Sequence, residues 1–312
     1  MLEGWPPPVL DPAGPYASSV SLLSWILFAM AFAVLLIVLL ALYLALFGRT
    51  ETQERLGGKR LIWAGGIAFP VVVLTVLLIY GLSLTRHLSQ PIQADALRVR
   101  VTGEMWWWRV AYLDGQGREV IQDANELHIP AGRPVVLELE SADVIHSFWV
   151  PRLSGKLDMI PGRRNLMRIQ ADAPGVFGGQ CAEYCGGPHA LMGFTVVAHE
   201  PRKFEQLIQA RLRRQQAPVV PAAADARLFE TVGCSACHRI AGTGANGLAG
   251  PDLTHVGSRR MLGAGILPNN RGTLMGWIGN SQAIKPNNRM PPYRLLTAEQ
   301  LTQLAAYLEE QK

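Results

Sequence analysis

Two groups of sulfur and imidazole side chains carry the chemistry of this sequence. The first is the run Gln180-Cys-Ala-Glu-Tyr-Cys-Gly-Gly-Pro-His-Ala-Leu-Met192, which sets Cys181, Cys185, His189 and Met192 within twelve residues. A further imidazole, His146, lies upstream in Asp143-Val-Ile-His-Ser-Phe-Trp149. Thiolates combined with imidazoles and a weakly bound thioether suit copper engaged in electron transfer. A hydrolytic zinc site would keep an open coordination position, with a general base close by. A Cys181–Cys185 disulfide, plausible outside the cell, and a structural zinc site are the competing uses of the thiols. Neither accounts for the context of His146 or for Met192 at this spacing.

The second group is Cys234-Ser-Ala-Cys-His238. Cys-x-x-Cys-His is the attachment signature of a c-type haem. Cys234 and Cys237 form thioethers to the vinyl groups, and His238 becomes the proximal iron ligand. Histidine with methionine is the axial pair of electron-transfer cytochromes c. The distal candidate is Met290, in Lys285-Pro-Asn-Asn-Arg-Met-Pro-Pro-Tyr293. Met261 and Met275 are alternatives that read better as core residues, and neither precedes a proline. A redox dithiol is the competing use of Cys234 and Cys237; it leaves His238 and the Met-Pro pair without a role. The chain has four cysteines, two for each group, and none remains for a structural disulfide. His255 reads as a residue of the surface or of the haem propionate side.

These groups need elements to position them. A chain of 312 residues is long enough for two or three domains, and its 49% hydrophobic content is concentrated near the N-terminus. The net charge of +5 is uneven: residues 88–200 hold ten Lys/Arg against thirteen Asp/Glu, and residues 225–312 hold nine against six. No basic run is long enough for nucleic-acid binding, so that class is set aside.

Ser21–Phe47 runs 27 residues without a charge; at about 1.5 Å per residue that is roughly 40 Å of helix, more than a bilayer core requires. Leu61–Thr85 is a second uncharged run, interrupted by Pro70, which a membrane helix tolerates. Arg49, Arg55, Lys59 and Arg60 lie between the two, whereas the first twenty residues have no Lys or Arg. The positive-inside rule puts the loop 48–60 in the cytoplasm and both termini outside. A signal peptide would need a basic n-region and a shorter apolar run.

From 96 to 198 the pattern turns to short β-rich runs. Leu97–Thr102, Arg109–Leu113, Glu126–Ile129, Pro134–Glu140 and Phe194–Ala198 read as strands, with Asp114–Gly117 as a turn. Such spacing favours an antiparallel sandwich or barrel, with the copper ligands near strand ends and in the last long loop. Glu200–Gln216 reads as a linker helix and Ala217–Ala224 as an extended connector. Thr297–Leu308 is an amphipathic helix with a capping box formed by Thr297 and Gln300. The expected layout is a tail at 1–20, a hairpin at 21–87 with helices at 21–47 and 61–85, a β domain at 88–200, a linker at 201–224 and an all-α haem domain at 225–312.

Val144-Ile-His-Ser-Phe-Trp-Val-Pro151 followed by Cys-x-Glu-x-Cys-Gly-x-x-His-x-x-Met resembles subunit II of haem-copper cytochrome c oxidases, over roughly residues 15–200. The resemblance implies a cupredoxin-like domain behind a two-helix transmembrane anchor, binding the dinuclear copper centre CuA. By that likeness Cys181 and Cys185 bridge the two coppers, and His146 and His189 each ligate one. Met192 supplies a thioether and Glu183 its backbone carbonyl, while the Glu183 side chain holds a magnesium ion shared with subunit I. Gly103-Glu-Met-Trp-Trp-Trp-Arg-Val-Ala-Tyr112 resembles the family's aromatic strand, where Trp106 would take up electrons from cytochrome c. On one strand Trp106 and Trp108 would share a face, with Trp107 opposite and packing the expected role of Trp107 and Trp108. Gly250-Pro-Asp-Leu253 and the Met-Pro pair resemble class I cytochromes c, with Pro251 near His238.

The implied function is that of an electron-transfer subunit in a terminal oxidase of the bacterial-type cytoplasmic membrane. A donor, cytochrome c or another carrier, feeds covalent haem c, then CuA, then haem a and the oxygen-reducing site of subunit I. Both redox domains are expected outside the cytoplasm. Two other readings share these motifs: the electron-accepting subunit of a CuA-type nitric oxide reductase, and a stand-alone membrane-anchored carrier. Glu183 speaks against the latter, since an interfacial magnesium has no use without subunit I.

Overall fold

The computed structural model describes residues 8–88, 96–219 and 224–312. The first residues of the expected tail, the start of the expected β domain at 89–95 and connector positions 220–223 lie outside the described residues.

Two helices are long and apolar enough to cross a membrane, Pro15–Phe47 and Lys59–Arg86. Helix α1 (Pro15–Phe47) opens earlier than the charge-free run, on a proline whose missing N–H is harmless in a first turn. A short α2 (Thr50–Leu56) lies in the basic loop. Then α3 (Lys59–Trp63) passes through a π-helical turn, Ala64–Ala68, into α4 (Phe69–Leu88). Pro70 supplies the reason for that turn: it has no N–H for the carbonyl of Gly66 and its ring crowds it, so the helix widens there. Leu36, Ile37, Leu40, Val72, Leu74 and Leu78 are all exposed, the all-round apolar surface of a lipid-facing helix.

The β region forms two five-stranded sheets. One has the order β3 (Glu119–Ala124), β2 (Trp107–Leu113), β1 (Leu97–Glu104), β5 (Val135–Ser141), β8 (Asn165–Ile169). The other runs β4 (Glu126–Pro130), β10 (Gly193–His199), β9 (Gly175–Cys181), β6 (His146–Trp149), β7 (Lys156–Met159). The sandwich is mixed rather than wholly antiparallel, because β1 pairs parallel with β5 and β10 parallel with β4. Local spacing reveals hairpins only; these parallel pairs join strands far apart in the chain. Inward alternation fills the core with Val99, Val101, Leu137, Leu139, Phe148 and Val196. Trp108 sits among them, its ring 5.9 Å from Phe148 and 5.0 Å from Phe194. Trp106 is not on a strand at all. It occupies the turn Met105–Trp106 between β1 and β2, so alternation does not apply to it and it does not share a face with Trp108. Residues ahead of α1 also pack on the sandwich, Asp11 pairing with Arg152 at 2.8 Å and the Ala13 N–H donating to the Arg152 carbonyl at 2.7 Å.

Helix α5 (Pro201–Gln215) is more than a linker: it lies against β3 and β4 and buries Phe204 and Arg211. The C-terminal portion is helical, with α6 (Ala224–Thr231), α7 (Arg271–Ile284), α8 (Ala298–Glu309) and a short hairpin, β11 (Met261–Leu262) and β12 (Leu267–Pro268). The capping box of Thr297 and Gln300 opens α8 as expected, and α8 packs on α6 through Phe229 and Tyr307.

This helical portion is seated on the sandwich. Arg259 and Arg211 both pair with buried Asp123, Gly193 N–H donates to the Ala264 carbonyl at 2.9 Å, and Arg109 donates to the Leu248 carbonyl at 2.8 Å. His255 is buried at 2% exposure rather than on the surface. Burial, followed by the charge of Arg211, pulls its pKa down to about 4. It belongs to this seam because Asp123, Arg211 and Arg259 gather around it.

Candidate functional site

Sheet register brings the copper-loop residues together. His146 opens β6 and Cys181 closes the adjacent β9, where Cys181 faces Phe148 across the ladder. The loop is folded back by Cys181 N–H donating to the Met192 carbonyl (2.9 Å) and Ala182 N–H to the Ser147 carbonyl (3.0 Å). Cys181 and Cys185 Sγ atoms come 3.8 Å apart. His146 Nδ1 lies 3.9 Å from Cys181 Sγ, and His189 Nδ1 lies 3.5 Å from Cys185 Sγ. Met192 Sδ is 3.8 Å from Cys185 Sγ, and the Glu183 carbonyl is 3.2 Å from Cys181 Sγ. His146, Cys181 and Cys185 have ligand atoms within 4.8 Å of one another, and all three are buried.

The contact with Cys185, opposed by burial and aided by His146, holds the Cys181 thiol far below its usual range. The same contact pushes Cys185 up.

The haem-motif residues surround a second site. Cys234, Cys237, His238 and Met290 line one cavity of about 420 Å³, the size of a cofactor pocket. Phe229, Leu253, Leu274 and Leu304 make it apolar. His238 Nδ1 lies 2.8 Å from the Pro251 carbonyl, and burial lowers the pKa of this imidazole. A neutral ring donating from Nδ1 presents the Nε2 lone pair to the cavity. Gly250 is required there, since a Cβ on it would lie 2.7 Å from His238 Cε1. The Met290 backbone is anchored on both sides: its N–H donates to Asn288 Oδ1 (2.8 Å), and its carbonyl accepts from Ser281 Oγ (3.1 Å) and Gln282 Nε2 (2.9 Å). Met261 also lines the cavity, whereas Met275 packs against Thr302.

Trp106 stands between the two groups. Its indole N–H donates to the Cys185 carbonyl at 2.8 Å, and its ring lines the cavity that holds His238 and Met290. Gly186, at φ +108°, makes room: a Cβ there would meet Trp106 Cζ2 at 3.1 Å. Trp107 lines the same cavity, under the guanidinium of Arg109 at 4.8 Å.

Residues 112–199 match the family model for the periplasmic domain of cytochrome c oxidase subunit II, and residues 222–312 match the cytochrome c model. The chain is 34% identical to cytochrome c oxidase subunit 2 of Alkalihalophilus pseudofirmus, across 97% of its own length and 90% of that protein. This chain belongs to the cytochrome c oxidase subunit 2 family. The subunit 2 of Bacillus sp. strain PS3 is 30% identical, over 80% of this chain and 72% of that one. The crystal structure of the periplasmic domain of subunit II from Bradyrhizobium japonicum covers 39% of this chain and 96% of its own, at 30% identity and a TM-score of 0.36. The family is a component of a haem-copper oxidase complex, and its two matched domains imply copper and haem c. With two apolar helices, the chain is membrane-anchored.

The residues present fit both groups. A sulfur separation of 3.8 Å is nearly twice the roughly 2.05 Å of a disulfide, and it leaves room for a shared metal between thiolates. All four cysteines are unbonded, and the two at the haem motif flank an apolar cavity beside a neutral imidazole.

Asp143 went unassigned in the sequence. Its Oδ1 is 2.9 Å from His146 Nε2, so it fixes the tautomer that turns Nδ1 toward Cys181. It also accepts from Met105 N–H at 2.9 Å and pairs with Arg289 at 3.3 Å. The available signal was its place three residues before a ligand-type histidine. Asn288, Ser281 and Gln282, which hold Met290, carried none.

Proposed function

We propose that this chain is the electron-transfer subunit of a terminal respiratory oxidase. It would accept electrons from cytochrome c or another donor at haem c and pass them by way of CuA to haem a and the oxygen-reducing site of subunit I. Bound copper and haem c supply reversible one-electron chemistry; the protein supplies rigid ligation, burial and proximity. The single observation that carries the reading is the position of Trp106, hydrogen-bonded to the Cys185 carbonyl and lining the haem-motif cavity. Its indole bridges the two groups through one hydrogen bond on the copper-loop side and a cavity wall on the haem-motif side.

In this reading Cys181, Cys185, His146, His189, Met192 Sδ and the Glu183 carbonyl would hold the copper, with the two thiolates shared within the site. The Glu183 carboxylate, whose Oε1 accepts the Tyr184 N–H at 3.1 Å, is assigned to a magnesium ion shared with subunit I. Cys234 and Cys237 would anchor the haem, and His238 and Met290 would be its iron ligands. The ties of Asp11 and Ala13 to Arg152 support a common extracytoplasmic side for the N-terminal end of α1 and the sandwich. The basic loop 48–60 then faces the cytoplasm. Membership of the oxidase family favours oxygen over nitric oxide as final acceptor.

Purification of the native complex tests the whole reading: it should consume oxygen and contain both metals. Nitric oxide consumption without oxygen uptake, or recovery of the chain alone from a mild detergent, would sink it.

Two substitutions test the ligand assignments. Met290→Ala should change the haem absorption and move its potential by on the order of 0.1 V, within the roughly 0.8 V that axial ligands span, with copper content intact. An unchanged potential would return the axial role to Met261. Asp143→Ala should weaken copper binding about 10- to 100-fold, as expected for a residue that orients a ligating histidine. Competition with a copper chelator measures it, and equal copper retention in both proteins would remove Asp143 from the site.

A further inference from the structure

Lys285 belongs to neither ligand set, yet it is buried to 3% exposure at the end of α7. Its Nζ donates to the carbonyls of Trp106 (2.6 Å), Leu191 (2.8 Å) and Gly263 (3.1 Å). The three acceptors come from three separate segments. Trp106 is in the β1–β2 turn, Leu191 lies between His189 and Met192, and Gly263 is in the β11–β12 turn.

No carboxylate among the described residues pairs with this ammonium. A buried cation in such a place is unfavourable unless its surroundings compensate it. Burial pulls the Lys285 pKa down to about 7, with the neighbouring Cys185 acting in the opposite direction. The hydrogen bonds select the charged form: an ammonium has three donors, whereas a neutral amine would turn its lone pair toward the third carbonyl. The charge and its three bonds therefore call for a role.

We propose that Lys285 is a positioning residue that pins the haem-motif portion onto the copper loop, fixes Trp106 between them, and favours the reduced copper site by its fixed positive charge. The inference rests on the electron-transfer reading above. One ammonium restrains the turn carrying Trp106, the segment joining two copper-ligand candidates, and a wall of the cavity. An added electron beside Cys185 is attracted to the same charge.

The test uses the intact complex carrying Lys285→Met or Lys285→Arg. The readouts are copper and haem content, light-triggered electron transfer from haem to copper, the copper midpoint potential, and amide exchange around Leu191. Lys285→Met should keep both metals, slow internal transfer at least tenfold, and speed exchange around Leu191. It should also lower the copper potential by about 59 mV, the equivalent of a tenfold change in a one-electron equilibrium. Lys285→Arg keeps the charge but cannot fit a planar guanidinium among the three carbonyls. It should hold the potential while still slowing transfer and loosening the loop.

Wild-type rate and potential in Lys285→Met would overturn the proposal. If that variant does not assemble, Lys285→Arg decides, and either a lowered potential or wild-type exchange around Leu191 overturns it. A wild-type complex without copper or haem would instead overturn the functional reading on which it rests.

Discussion

Cys185→Ser should yield a complex that keeps its haem and loses its copper. Cys185 Sγ is the hub of the copper loop, 3.8 Å from Cys181 Sγ, 3.5 Å from His189 Nδ1 and 3.8 Å from Met192 Sδ. A serine hydroxyl is a hard, shorter donor that stays protonated at neutral pH, so it cannot replace a soft bridging thiolate. The loss should exceed the roughly 10- to 100-fold that follows removal of a residue which only orients a ligand. Oxygen uptake driven by an external donor should fall with the copper. Haem should be unaffected, because Cys234, Cys237, His238 and Met290 line a separate cavity. Metal analysis beside a haem assay on the purified complex measures both. Full copper content would remove Cys185 from the ligand set, and joint loss of haem would mean that the variant misfolds.

The second large effect is expected at Asp123. This carboxylate is 1% exposed and meets Arg259 at 2.7 Å and Arg211 at a short contact. Arg211 also reaches His128 Nε2 at 3.0 Å. Burial by itself would raise the Asp123 pKa, but Arg211 and then Arg259 outweigh it and hold the group well below the usual carboxylate range. Asp123→Ala takes the shared carboxylate away from two buried guanidiniums. Removing one partner of a buried pair typically costs about 3–5 kcal/mol, and Asn should recover only the shape.

The sign of the pH effect follows from the depressed folded pKa. The stabilisation is complete above the unfolded carboxylate value, near pH 4, and declines as the pH falls toward the folded one. Unfolding of the full chain in detergent should therefore show a large wild-type advantage over Asp123→Ala at pH 7 that shrinks in acid. A gap that stays constant from pH 7 to pH 3 would mean that the Asp123 charge does not hold this seam.

Some features needed only neighbouring residues. The two membrane helices are uncharged runs, and no fold is required to see that water would not tolerate them. The grouping of Cys234, Cys237 and His238 around one cavity is legible because the motif that would attach a haem keeps its thiols and imidazole on one short turn. The copper loop is legible for a similar reason: Cys181, Cys185, His189 and Met192 share one segment, and a loop between two strands brings its own residues together. The capping box of α8 is equally local.

What the tertiary structure decided joins segments remote in the chain. Asp123 meets Arg211 across 88 residues and Arg259 across 136, and neither arginine stands out among the 29 Lys and Arg. The parallel pairing of β1 with β5 depends on the route of the chain between them, which alternation in either strand does not encode. Trp106 reads as a strand residue until the turn after β1 is seen; its position there frees the ring to reach both the Cys185 carbonyl and the cavity. Lys285 is the extreme case, bonded to a carbonyl 179 residues away. Backbone carbonyls occur at every position, so a lysine that binds three of them has no partner type to search for. Local chemistry specified the two clusters of ligand-type side chains by itself. Their seating against each other rests on burial and backbone hydrogen bonds, which exist only once the separate segments have met.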